Sequence, residues 1–185
     1  MPFTPVRTIP ESPEFQALLT WPFPEHPFYM GQVKRILQND IPQRSAFGWC
    51  LIWLYRDATG NRVGFGTLDL CGDYAQFTED KPHPYIPVLA VHPNFQNRGH
   101  GRRIVEHLTA HAAVAVRKLP HVSTLLFLDV YKANPAISLY QKCGFEILNP
   151  NSPIPDPNEN NEPYFVMARN VWSSPRKVDT ELRCS

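Results

Sequence analysis

From Phe47 to Tyr55 the chain reads FGWCLIWLY, apolar on both alternating faces, which predicts a strand covered on its two sides. After the turn DATGN, a second strand is expected over 62–70, making an antiparallel hairpin with the first. A third strand follows over 85–91. Ile104, Leu108, Ala112, Ala115 and Leu119 then recur at helical spacing, giving a helix over about 101–118. The apolar run 124–130 completes a strand–helix–strand unit, whose two strands run parallel with a right-handed crossover. Upstream, 12–20 and 28–38 have helical spacing, the second through Phe28, Val33, Ile36 and Leu37. In DVYKANPAISLYQKCGF, Asn134 suits an N-cap, Pro135 the first helical position and Gly144 the residue past the end, which bounds a short helix at 135–143. Segments 145–148 and 164–171 form a last antiparallel pair. The pattern is that of an α/β (α+β) fold, a mixed, mostly antiparallel sheet with a central parallel pair and flanking helices.

At 185 residues and 43% hydrophobic content the chain is expected to bury one core, as a single domain over 1–185. The core spans about 45–171, and the last residues, SSPRKVDTELRCS, form a disordered tail in this reading. Eighteen basic and seventeen acidic residues leave a net charge of +1, which provides no overall field for nucleic acid or an anionic membrane. An anion site, if present, is local. The longest apolar stretch, AFGWCLIWLY, is about half the length of a membrane span. The N-terminus lacks the pattern of a secretory leader, and the four cysteines have no metal-like spacing, so a soluble, cytoplasmic protein with reduced thiols is expected. Twenty prolines cluster in 22–27, 81–87 and 149–163, marking loops between the periodic segments.

The chemistry concentrates in VLAVHPNFQNRGHGRRIVEHL, residues 88–108, where a strand passes through two glycines and three arginines into a helix. The first N–H groups of a helix have no internal acceptor and carry the positive end of its dipole, so such an entry is an anion cradle. Arg98, Arg102 and Arg103 add formal charge, which favours phosphate. The run is not GxxxxGK[ST], and Ile104 stands where a dinucleotide fingerprint needs its third glycine. Taken alone, the stretch reads equally as a tight turn with solvated arginines.

Two signatures decide between these readings. QNRGHG, Gln96 to Gly101, fits the Q/R-x-x-G-x-G/A loop of the Gcn5-related N-acetyltransferases, the GNAT superfamily, and NPAISLYQKCGF resembles that family's N-x-x-A-x-x-L-Y-x-x-x-G-F. They stand in the family's order and at its usual separation. The resemblance implies a parallel strand pair that splays, with acetyl-CoA in the gap as cosubstrate and no metal. It implies that Gln96, Asn97, Arg98, Gly99, His100, Gly101 and Arg102 hold the pyrophosphate, mostly through backbone amides. Leu89, Ala90 and Val91 match the strand that binds the pantetheine arm, with the Val91 amide facing the thioester oxygen. Asn134 matches a contact near the thiol, and Tyr140 matches the tyrosine that serves the departing thiolate.

A tyrosine near pKa 10 is a weaker acid than a thiol near 8.5, so full proton transfer is uphill by about 2 kcal/mol, and hydrogen bonding to the thiolate is the simpler role. The acceptor amine must be neutral to attack. For a lysine-like amine deprotonation at pH 7 costs roughly 4.6 kcal/mol, against about 1.4 for an α-amine near 8. Asp129, on the strand before Asn134, stands where some members carry a glutamate base; a water chain to backbone carbonyls is the alternative.

The resemblance therefore implies transfer of acetyl to a primary amine of a small molecule or peptide, by direct attack in a ternary complex. An idle acyl-CoA sensor, a transferase of longer acyl groups and a domain binding another phosphate ligand are the other readings. Homodimerisation through YFVMARNVW fits the family's habit. His107 and His111 stand i, i+4 with no accompanying HExxH carboxylate and are read as surface histidines. His92 is a core or rim residue. Trp21, Phe23, Phe28 and Tyr29 are placed on the acceptor wall, and Asp156, Glu159 and Glu162 on a loop that would attract a cationic amine.

Overall fold

The computed structural model describes residues 3–21, 33, 35–46, 48–72, 81–156 and 161–172. The expected C-terminal tail, Phe23, Phe28, Tyr29 and Glu159 lie outside these. Strand β1 (Thr4–Thr8) is an edge strand that the proline-broken N-terminal sequence did not predict; Pro5 sits where an edge tolerates a missing donor. Helix α1 (Pro13–Gln16) is capped by the Ser12 hydroxyl, which accepts from Phe15 N at 3.1 Å, and it tightens into a 3₁₀ turn over Ala17–Thr20.

Much of the helix expected over 28–38 lies outside the described residues; within it, Val33 and Arg35 are helical. A π-type turn over Ile36–Asp40, in which Ile41 N reaches Ile36 O, runs into α2 (Ile41–Ala46). The wider turn comes immediately before Pro42, whose missing N–H interrupts the α ladder.

The hairpin forms as expected from β2 (Cys50–Arg56) and β3 (Arg62–Gly72). The strand expected over 85–91 is broken into β4 (His83–Ile86) and β5 (Leu89–Val91) at Pro87. Helix α3 (His100–Lys118) and strand β6 (Leu125–Tyr131) follow, and β4 pairs β6 in parallel. Helix α4 spans Ile137–Lys142, two residues later than expected. Asn134 caps the preceding turn instead, its Oδ1 accepting from Ala136 N at 2.8 Å. Strands β7 (Glu146–Ile147), β8 (Ile154–Asp156) and β9 (Glu162–Asn170) close the fold, with β8 arising inside the proline-rich loop. The order is β1-β2-β3-β4-β6-β9-β7, with β5 beside β3 and β8 beside β9; every pairing but β4–β6 is antiparallel. This is the mixed sheet and helix arrangement of the GNAT fold.

The two-sided strand β2 feeds two cores. Trp53 and Tyr55 join Ile104, Val105, Leu108 and Ala112 beneath α3, while Cys50, Ile52 and Leu54 join Phe15, Leu18, Leu37 and Ile41 beneath the N-terminal helices. Helix α3 sits close to β3 because β3 is bare there. A Cβ on Gly64 would stand 2.6 Å from Ile104 Cδ1, and one on Gly66 3.0 Å from Leu108 Cδ1.

Candidate active site

The site begins where the sheet opens. Beyond Tyr85↔Phe127 and Ile86↔Leu128, β5 keeps β3 as its neighbour and has no pairing with β6 among the described residues. Pro87 offers no N–H, and Val88 is held to the other side. Thr67 N donates to Val88 O at 3.0 Å, and the buried Thr67 hydroxyl both donates to Val88 O (3.1 Å) and accepts from Val88 N (3.2 Å). This clamp redirects the chain away from β6.

Strand alternation then decides which peptide groups face the gap. Val88 O accepts from Thr67 and His92 N donates to Val63 O at 2.9 Å, so in this register Ala90 forms the intervening bonded pair with Phe65. Leu89 and Val91 turn their peptide groups to the opposite side, toward β6, whereas those of Ala90 belong to β3. The gap is a cleft of about 310 Å³, lined on the β6 side by Leu128, Asp129, Val130 and Tyr131, and further along by Asn134 and Tyr140.

At the end of β5, His92 Nδ1 accepts from Asn94 N at 3.2 Å and caps a 3₁₀ turn over Pro93–Phe95, with Trp21 against its ring at 5.0 Å. His92 is thus a rim residue. Gln96 donates from Nε2 to Val91 O at 3.3 Å, so its side chain ties the loop to the strand. Asn97 (φ 59) and Gly99 (φ 80) adopt left-handed conformations, and α3 starts at His100. Arg103 N makes the first helical bond, to Gly99 O at 3.3 Å, so the N–H groups of His100, Gly101 and Arg102 have no intrahelical acceptor. Gly99 serves the turn. Gly101 serves packing, since a Cβ there would stand 3.0 Å from Leu139 Cδ2 on α4.

The arginines are held outside this cradle's backbone. Arg102 Nε donates to Glu106 Oε1 at 2.8 Å, Arg98 lies over Phe95 at 5.5 Å, and Arg103 over Phe3 at 5.8 Å. Among the described residues no three His, Cys, Asp or Glu side chains gather as a metal site. The residues that do meet here fit an acyl-CoA: unbonded helical N–H groups for a pyrophosphate, and exposed strand amides for an amide-bearing arm.

A family model described as acetyltransferase (GNAT) domain matches residues 48–147. The chain belongs to the GNAT acetyltransferase family. Solved structures of this fold include a chimera of the spermidine N-acetyltransferase SpeG from Vibrio cholerae and hSSAT, at 13% identity and TM-score 0.63, covering 91% of this chain and 95% of that one. The ribosomal-protein-S18-alanine N-acetyltransferase from Escherichia coli aligns at 18% identity and TM-score 0.60 over 96% and 99% of the two chains. A protein described as a putative acyl-CoA N-acyltransferase from Klebsiella pneumoniae aligns at 19% identity and TM-score 0.57 over 92% and 98%. No curated protein matches the chain. At these identities the structures share the fold, and the family carries acyl transfer from an acyl-CoA.

In this GNAT domain the far end of the cleft is rich in tyrosine and carboxylate. Tyr85 donates to Asp129 Oδ2 at 3.1 Å, and Tyr131 to Asp156 Oδ2 at 2.8 Å. Tyr164 lines the cleft with Asp129 and Asp156; burial raises the pKa of its hydroxyl, and the charges of the two carboxylates raise it further. Tyr140 is buried, edge-on to Phe145 at 6.3 Å between centroids. Tyr85, Tyr131 and Tyr164 were not expected from the sequence. Tyr131 had a signal, since it stands two residues after Asp129 on β6 and so shares its face.

His107 and His111 are not simply solvated. Tyr55 Oη lies 2.9 Å from His107 Nδ1, the imidazoles are 4.5 Å apart, and Trp53 packs on both. Burial, then the neighbouring His111, lowers the His107 pKa to about 4.

Proposed function

We propose that this chain is a cytoplasmic N-acetyltransferase that moves acetyl from acetyl-CoA to a primary amine by direct attack in a ternary complex. The observation that carries it is the parting of β5 from β6, which leaves the Leu89 and Val91 peptide groups facing a cleft lined by Asp129 and Tyr140; the unbonded first turn of α3 supports the same reading. Acetyl-CoA supplies the activated thioester. The N–H groups of His100, Gly101 and Arg102, with the turn through Asn97, Arg98 and Gly99, receive the pyrophosphate, and the peptide groups of Leu89 and Val91 orient the arm. The Val91 N–H is the donor for the thioester oxygen as it gains charge.

The acceptor nitrogen forms the new amide bond as the carbon–sulfur bond breaks. Its excess proton goes to Asp129, directly or through water, and the Tyr140 hydroxyl donates to the departing thiolate. Free CoA and the N-acetylated amine leave. Asn134 has its Oδ1 engaged by Ala136 N, which leaves its amide N–H groups for the thiol end of the cofactor.

Calorimetric titration with acetyl-CoA, followed by thiol release against a panel of amines, tests this reading. Binding with release on one acceptor class supports it. Binding without release replaces the enzyme by an acyl-CoA sensor, and absence of binding removes the cofactor site.

A further inference from the structure

We propose that the acceptor carries a carboxylate beside its amine, and that Arg44 reads it. The inference rests on the acyl-transfer reading above and names the substrate class. A second cleft, of about 200 Å³, adjoins the first and shares Ile36, Pro87 and Asp129 with it. Arg44, from α2, lines this second cleft together with Tyr85. Its Nη1 is hydrogen-bonded to Oδ2 of Asp69, a fully buried carboxylate whose other oxygen accepts from Cys71 N at 2.8 Å.

A guanidinium has five N–H donors. Asp69 is the one acceptor Arg44 has among the described residues, while the Arg44 side chain remains 43% exposed. One edge of the fork is therefore fixed from below, and the other is held ready at the cleft. Such a pre-set fork binds a planar carboxylate with little further loss of side-chain freedom. The charge of Asp69 compensates Arg44 without covering it. The other acid of this wall, Asp40, pairs with Arg35 at 3.6 Å. At the junction of the clefts Asp129 suits the amine, and Arg44 suits an anion on the same molecule. That polarity matches an amino acid; a purely cationic amine would leave the Arg44 fork without an acceptor.

The test is thiol release by the full chain with α-, β- and γ-amino acids and lysine, each paired with its C-terminal amide. In the wild type, kcat/KM for the preferred amino acid should exceed that for its amide at least tenfold. The amide's amine deprotonates more readily, so this preference runs against intrinsic reactivity. Arg44→Gln combined with Asp69→Asn removes both charges without stranding a buried carboxylate, and should bring the ratio close to one, through KM. Arg44→Lys keeps the charge but loses the fork, and should cut the ratio at least threefold; this variant decides the matter if the double variant gives no cooperative melt.

Equal rates for acid and amide in the wild type overturn the inference while leaving acyl transfer intact, as does a preference that survives loss of Arg44. If no acceptor of any class elicits thiol release, acyl transfer is overturned instead. The cleft is then read by calorimetric titration of the same amino acids into the CoA-loaded protein. Saturable binding lost in the Arg44 variants supports the carboxylate site, and no binding to the wild type removes it.

Discussion

The hydroxyl of Tyr85 on β4 donates to Oδ2 of Asp129 on β6 at 3.1 Å, across the parallel pair at the point where the strands part. Tyr85 stands opposite Phe127, so Asp129 projects on the same face two residues nearer the opening. The carboxylate is thereby oriented by a group on the other wall of the cleft. As the proposed base, Asp129 matters most when the acceptor is protonated. Asp129→Asn is expected to lower kcat/KM for a lysine-like amine about 10²-fold at pH 7, with the loss shrinking as pH approaches the amine's own pKa. Tyr85→Phe should cost only several-fold. A pH–rate series on both variants checks this, and a loss equal at every pH would make Asp129 a positioning group.

Tyr140 is buried against Phe145 and lines the cleft, so removing its hydroxyl leaves the packing in place. Tyr140→Phe should reduce kcat by about 10²-fold, in the range of a single lost transition-state hydrogen bond. Calorimetric affinity for CoA should stay within a factor of about two. Equal losses in kcat and CoA affinity would assign Tyr140 to binding.

Gly64 is required by close approach. Its φ is not in the left-handed region, yet a Cβ would meet Ile104 Cδ1 at 2.6 Å and the Ala90 carbonyl oxygen at 2.9 Å. Ile104 can rotate, but the Ala90 oxygen belongs to the strand that borders the cleft. Gly64→Ala is expected to destabilise by about 1–3 kcal/mol through overpacking. Because β5 must shift, it should also weaken CoA binding. Urea unfolding and calorimetry on the same preparation measure both.

His107 supplies a pH dependence remote from the cleft. Burial, then the charge of His111, lowers its folded pKa to about 4, below the ordinary histidine value of 6.5. Between these values the unfolded chain binds the proton and the folded chain does not, so stability is fully present above pH 6.5 and declines as pH falls toward 4. Allowing for the partial exposure of the ring, the loss should be no more than about 2 kcal/mol. Urea midpoints at pH 7 and pH 5 should differ in the wild type, and the difference should be smaller in His107→Asn. An unchanged difference would place the pH sensitivity elsewhere.

The elements that periodicity dictates are also those the fold displays. The two-sided FGWCLIWLY run becomes β2 between two cores, and the stripe through Ile104, Leu108 and Ala112 becomes the buried face of α3. The strand–helix–strand unit and the loop from Gln96 to Gly101 are local, since glycine at a left-handed turn and unbonded N–H groups at a helix start follow from a few adjacent residues. Where local rules were incomplete, a partner distant in sequence decided. The split of the 85–91 strand was half visible at Pro87 and completed by Thr67, whose hydroxyl holds Val88 from another strand. Strand β1 forms because the exposed edge of β2 accepts it, a condition TPVRT does not contain.

The sequence by itself thus determined the hydrophobic alternation, the boundaries of α3 and α4 to within a turn, and the glycine-turned, unbonded entry to α3, because each depends on neighbours along the chain. Tertiary structure alone decided which backbone groups face the gap and which aromatic hydroxyls meet Asp129 and Asp156. It also placed Arg44 over Asp69, twenty-five residues away. Those relationships depend on strand register and on which face of one element meets another, and no stretch of adjacent residues encodes either.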